Sequence, residues 1–280
     1  MIINITLILL LLSFPLQAKE IAQYDSLEIR NKLFFVQGSD TPYSGSVENL
    51  TEHHKKFDGY ILAGEKDGVW TYYHANSTLV KKKGKFKENL KHGEWIYFGE
   101  GGSITENGFF RFGKKDSIWT SWQISIQRSS TSSYSEGLKS GSWITYHDNG
   151  RERMAGNFLH GKKEGIWKEW TSEGCEVSRT SYKNGILQGV QTYWYKNGQK
   201  KKICAYIAGK LDGAWKTWYP SGKIKEEKAY RMGNIVGFYS TWWENGSPKV
   251  AGAYKAGKKV GLWTRIGENG VMLKKTRFND

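Results

Sequence analysis

The sequence predicts an all-β fold: an elongated array of antiparallel β-hairpins laid side by side as a single twisted meander sheet. Three observations predict it. Tryptophans recur at a fixed interval along the 280 residues. Glycines stand at fixed offsets from them, and stretches of five to eight residues rich in aromatic and β-branched types lie between. No segment sustains a 3.6-residue apolar period, so helices are not expected.

The interval is read from Trp70, Trp95, Trp119, Trp143 and Trp167, which lie 25, 24, 24 and 24 residues apart. Further steps of 24 reach Gln191, Trp215, Tyr239 and Trp263, so seven of nine positions, the slots, hold Trp and anchor the repeat. Such a period marks a repeat architecture and overrides the one or two ordinary domains that the length would suit. Two residues before each slot stands a Gly, except for Ser117 in the third unit. Three residues after it stands an aromatic, from Tyr73 and Phe98 to Trp218 and Trp242, with Ile266 in the last unit. Seven residues after most slots comes another Gly, as in Asn149-Gly150, Asn197-Gly198 and Asn245-Gly246. Asn-Gly between such runs signals a hairpin, because both residues tolerate positive φ. An aromatic closes each unit, as at Phe86, Phe110, Tyr254 and Phe278, and in most units a Gly follows it by three.

Each unit therefore reads as one hairpin. A lone hairpin is marginal in water, so neighbouring units must bury one another's aromatics. Side chains alternate along a strand, so the slot and the aromatic three residues later belong to opposite faces. This predicts two aromatic ladders, one per face, unless a bulge at the Gly realigns them. Nine units at roughly 9–10 Å each make a sheet on the order of 90 Å long, which should twist.

Residues 1–18 read as a signal peptide. The apolar run Ile5 to Leu12 is too short to span a bilayer, and Leu16-Gln17-Ala18 offers a cleavage site before Lys19. No Lys or Arg precedes the run, a departure from the usual pattern, and no Cys follows it for lipid anchoring. The expected location is secreted, periplasmic or cell envelope. Residues 19–42 hold no complete unit, and the array is expected over 43–280. Tyr43-Ser44-Gly45-Ser46-Val47 reads as a worn capping unit with Val47 in the slot.

The sequence carries none of the catalytic motifs G-x-S-x-G, H-E-x-x-H, P-loop or C-x-x-C. No cofactor, metal or catalytic residue is predicted. His53-His54 reads as an exposed pair, and His74 and His147 lie three units apart, roughly 29 Å, too far to share a metal. Two cysteines, Cys175 and Cys204, fall at different phases of the repeat; one disulfide is the most they allow.

A formal net charge of +15 favours anionic partners. One basic feature is organised. Four residues before the slots stand Lys66, Lys91, Lys115, Lys139, Lys163, Leu187, Leu211, Ile235 and Lys259. They should align along one edge of the sheet as a candidate partner-binding row, five lysines followed by an apolar patch.

The units resemble MORN-type repeats, and look closer to the variant found in YwqK-like antitoxin proteins than to MORN repeats in general. Tyr43-Ser44-Gly45, Gly161-Lys162-Lys163-Glu164-Gly165-Ile166-Trp167, Gly257-Lys258-Lys259-Val260-Gly261-Leu262-Trp263 and Tyr195-Lys196-Asn197-Gly198 carry the resemblance, which covers roughly residues 43 to 279. It implies a hairpin array that binds proteins or, in some members, membranes, with no catalytic motif. The expected function is a non-enzymatic, exported binding or scaffold protein with a protein partner. The alternatives are an antitoxin that sequesters a toxin, and a lysine row on an anionic membrane or envelope polymer; nucleic acid is not expected. Export and cytosolic antitoxin action exclude one another.

Overall fold

The computed structural model describes residues 21–51, 54–123 and 128–279. The signal-peptide reading and His53 lie outside the described residues. Strands of nine and eight residues alternate through most of the array, for example Leu90–Phe98, Ile104–Arg111, Lys114–Trp122 and Arg128–Ser135. Each pairs antiparallel with its predecessor and its successor. The meander runs from Gly45–Leu50 to Met272–Phe278 in one long 22-stranded sheet that does not close. The all-β expectation therefore holds.

The two ends of the hairpins use different turns. At one end a two-residue turn joins paired residues such as Arg111 and Lys114. Its first residue is Phe112, Glu136, His160, Ala208 or Met232 at φ 47–50, and its second is a Gly near φ 80. Two positive φ values in succession make a type I′ turn, whose twist suits the flanking strands. At the other end a five-residue connection closes with Gly150 N–H donating to the His147 carbonyl at 2.8 Å, and only the Gly has positive φ. This corrects the Asn-Gly reading: Asn149, Asn197 and Asn245 are not left-handed. Their side chains do other work. Each Oδ1 accepts the N–H two residues on, and each Nδ2 donates to a carbonyl in the next unit's loop, at Ser172, Pro220 and Glu268 (2.7–3.1 Å). The asparagines lace successive loops together.

The Gly before each slot does form a bulge. It has positive φ, and Ser117 adopts the same conformation at φ 57. In the third unit Ser117, Ile118 and Trp119 pass over the single residue Gly108 of the preceding strand. Two extra residues leave the alternation unchanged. The slot and the aromatic three residues later thus keep to opposite faces.

The N-terminal segment, which shows no repeat, folds over the first end of the array. Ala22–Gln23 adds a short parallel strand beside Gly45–Leu50, and a hairpin of Leu27–Arg30 and Leu33–Val36 follows. Tyr24 sets its ring 4.8 Å from Phe57 and 6.5 Å from Trp70. Phe34, Val47, Ile61 and Trp70 form the buried cluster beneath. Val47 pairs with Gly59 as Trp70 pairs with Gly84, so it occupies a slot position.

Candidate interaction faces

The slot side chains make one face of the sheet a continuous core. Trp70, Trp95, Trp119, Trp167, Trp263 and Gln191 are all buried. Closing aromatics stand edge-on between successive slots: Phe110 lies 6.1 Å from Trp95 and 5.0 Å from Trp119, and Tyr254 lies 5.8 Å from Tyr239 and 5.1 Å from Trp263. Such tilted pairs suit the ring quadrupoles.

What seats each indole is a glycine eleven residues earlier, on the preceding strand. A Cβ added at Gly59, Gly84, Gly108, Gly156 or Gly252 would meet Trp70, Trp95, Trp119, Trp167 or Trp263 at 2.2–2.3 Å. With the ring flat on bare backbone, the Nε1 of Trp70, Trp95, Trp119 and Trp167 donates to the carbonyl just after that Gly, at 2.9–3.2 Å. In the other four units the equivalent residue is Ser132, Thr180, Cys204 or Lys228. There the slot is a half-buried Trp143, the buried Gln191, a half-buried Trp215 or a half-buried Tyr239. Gln191 replaces ring packing with hydrogen bonds, accepting from Ser181 N–H at 2.9 Å and donating to the carbonyls of Ser181 and Gly189 at 3.3 Å.

The lysine row aligns, and backbone hydrogen bonds set the alignment. The carbonyls of Lys91, Lys115, Lys139, Lys163, Leu187, Leu211 and Ile235 each accept the turn Gly N–H of the next unit (2.7–3.0 Å). The side chains, however, do not project from an edge. They fold over the tryptophan face, each on its own unit's indole: Lys66 at 4.3 Å from the ring centroid of Trp70, Lys91 at 4.3 Å, Lys115 at 3.6 Å, Lys139 at 5.5 Å, Lys163 at 4.2 Å and Lys259 at 4.4 Å. Their stems cover apolar surface while their charges meet ring faces. Burial, with the nearby Lys82 charge second, holds the Lys66 and Lys91 ammoniums below the ordinary lysine range. Leu187, Leu211 and Ile235 hold the same row position in the units of Gln191, Trp215 and Tyr239 and are half-buried. Beyond the N-terminal cover over Trp70, the row is the outer cover of the ladder among the described residues.

Among the described residues the histidines single out no site. The His74 and His147 rings bond through Nε2 to the Phe98 and Trp170 carbonyls of the neighbouring unit, at 3.2 and 2.9 Å. His92 packs against the Phe112 ring at 5.3 Å. Cys175 is exposed and Cys204 buried, both as free thiols; burial pushes the Cys204 thiol pKa up.

The opposite face carries a signal that the sequence reading did not single out. The residue just before the slot points there, and it is apolar in most units. Val69, Ile118, Ile166, Val190 and Leu262 are 53–61% exposed and Phe238 is 86% exposed. The half-buried aromatics three residues after the slots share this face. They form a separated row, with Tyr73 donating to Asp58 at 2.7 Å, Lys83 over Phe98 at 5.9 Å and Arg179 over Trp194 at 5.7 Å. Toward the C-terminal end small side chains fill the spaces: Ala214 pairs with Ala229, Phe238 with Ala253, and Ala253 with Val260. Phe238, Leu262 and Val260 rim an open depression of about 500 Å³ there.

A family model described as a MORN repeat variant matches residues 187–208 and 211–231. The matched stretches are two successive units, each opening at its row position, Leu187 or Leu211. No curated protein matches the chain.

Proposed function

We propose that the chain is a non-catalytic interaction module which holds a protein partner on the face opposite its tryptophan ladder, and that it works outside the cytosol. One observation carries the reading. A long sheet packs its slot and closing aromatics on one face and leaves large apolar side chains, Phe238 foremost, exposed on the other. Exposed large apolar side chains gathered on one face, as at Phe238 and Leu262 around the open depression, mark interaction sites, and MORN-variant units suit a binding role. Lipid adhesion through the lysine row is less favoured, because those ammoniums already rest on indoles. A toxin remains one candidate partner on the resemblance of the repeat strings, and it requires a cytosolic chain.

Photo-crosslinking in the native cell tests the face. A crosslinker at position 238 or 262 should form adducts that one at Lys202, on the ladder face, does not. Equal adducts from both faces would overturn the reading. Fractionation with intact-mass measurement tests the compartment. A species beginning at Lys19 outside the cytosol supports export, whereas one retaining Met1 inside it favours the antitoxin.

A further inference from the structure

The ladder face carries grooves beside Trp167 and Trp263 that differ in what lines them. In the fifth unit the groove beside Trp167 sets Glu169 across from Ser178, whose hydroxyl donates to the carboxylate at 3.2 Å. In the last unit the same two places hold Arg265 and Lys274, directly opposite in register. The groove there is larger, about 450 Å³. Lys249 and Lys259 complete its walls, and among the described residues no Asp or Glu lines it.

Like charges directly across a strand pair repel and destabilise the sheet. The equivalent pairs elsewhere avoid this: Tyr97 faces Glu106, Thr217 faces Glu226, and Thr241 faces Val250. The four cations are not equally employed. Lys249 rests on Trp243 at 3.8 Å and Lys259 on Trp263 at 4.4 Å. Arg265 and Lys274 make no ion pair and no ring contact among the described residues. Two exposed, opposed and unneutralised charges thus stand at the mouth of a concave site.

We infer that this groove binds an acidic, extended segment of a protein, its carboxylates spanning Arg265 and Lys274. The site is separate from the apolar face and stands on its own observations. Charge is what it offers. Trp263 is only 6% exposed and lies under Lys259, so it is a wall rather than a platform on which a sugar or a base stacks. Arg265 supplies a planar fork that suits a carboxylate, with Lys274 as a point charge beside it.

The test uses the full-length protein and fluorescence anisotropy with a labelled hexaglutamate peptide at low ionic strength, about 0.01 M, where screening extends over roughly 30 Å. Arg265→Glu with Lys274→Glu should weaken binding by at least about tenfold. Lys81→Glu with Lys87→Glu, an equal charge change among exposed lysines elsewhere, should weaken it less than about twofold. Equal losses in the two variants would overturn the site. So would a labelled oligothymidylate of matching charge that binds more tightly than the peptide and is lost in the same variant, since the ligand is then a nucleic acid. Arg265→Glu alone guards against misfolding. It converts the repulsive pair to an attractive one, so thermal stability should hold or rise while peptide affinity falls; unchanged affinity in this folded variant would refute the inference.

Discussion

The tightest constraint in the array is the contact between an indole and bare backbone, and Gly156→Ala tests it. The Cβ introduced there lies 2.3 Å from Trp167 Cδ2, 2.4 Å from Cε2 and 2.6 Å from Cγ. The φ of Gly156 is not positive, so alanine suffers no backbone strain, and its lower unfolded-state entropy alone would favour it. The expected loss is therefore steric. Overpacking of this kind costs about 2 kcal/mol, bounded above by the roughly 3–5 kcal/mol of losing the tryptophan altogether. The ring relieves the clash by moving off the strand at a cost in burial; over Ser132 and Cys204 the equivalent Trp143 and Trp215 are only half-buried. Moving off forfeits the 3.2 Å bond from Nε1 to the Asn157 carbonyl. Denaturant unfolding measures the loss, and amide exchange along Lys162–Trp170 localises it, since repeat arrays open locally. The chain also contains its own suppressor. Gly156→Thr with Trp167→Gln copies Thr180 and Gln191, and it should recover more than about 1 kcal/mol relative to the sum of the single changes. A loss below about 0.5 kcal/mol for Gly156→Ala, or additive behaviour of the pair, would refute the reasoning.

Three further outcomes follow from the same geometry. Lys115→Met removes an ammonium 3.6 Å above Trp119 and 2.8 Å from Glu106, and should cost about 1 kcal/mol in denaturant unfolding, with Lys115→Arg near neutral. Ser117→Gly restores the residue suited to φ 57, and should raise the unfolding midpoint by the equivalent of about 1 kcal/mol. Burial pushes Tyr72, Tyr73, Tyr97 and Tyr239 from 10.0 up to about 12. The folded state thus holds protons that the unfolded chain releases, so this stability is complete below pH 10 and is lost as pH rises toward 12; phenolate absorbance should show native tyrosines titrating late.

The fold was legible because one short rule is repeated. The slot interval, the closing aromatics and the paired glycines each imposed the same hairpin nine times, and Val47 could be placed in a slot by counting alone. The lysine row was visible as an alignment, but alignment does not give direction. Four residues is two full alternations, which puts Lys91 and Trp95 on the same face, and that parity was available in the sequence. So was the pairing of Lys with Trp: every Lys in the row stands four residues before a Trp, whereas Leu187 and Ile235 precede Gln191 and Tyr239, and Leu211 alone of the three apolar residues precedes a Trp, Trp215. The glycine eleven residues earlier was harder, because its role depends on the register across two strands. The turn types differ from the Asn-Gly expectation for a local reason. Asn-Gly is compatible with positive φ at both residues, yet the five-residue connection needs it only at the Gly, and the Asn side chain is engaged by the neighbouring unit's loop. The N-terminal cover over Trp70 carries no period and rests on contacts such as Tyr24 with Phe57, across 33 residues of sequence.

The same structure changes what the net charge of +15 means. A sheet with only one layer must close its core with its own side chains, and here lysines do so by lying along indoles. Six of them are thereby structural, so their number says little about partners. Salt separates the two kinds of cation. Ammoniums over buried rings are poorly screened, and the array's stability should change little between about 0.01 and 0.1 M salt, whereas binding through the exposed Arg265 and Lys274 should fall steeply as the screening length contracts from roughly 30 to 10 Å. A stability that fell in parallel with binding would mean that the lysine row is held by long-range charge rather than by the rings beneath it, and the division between covering and recognising cations would fail.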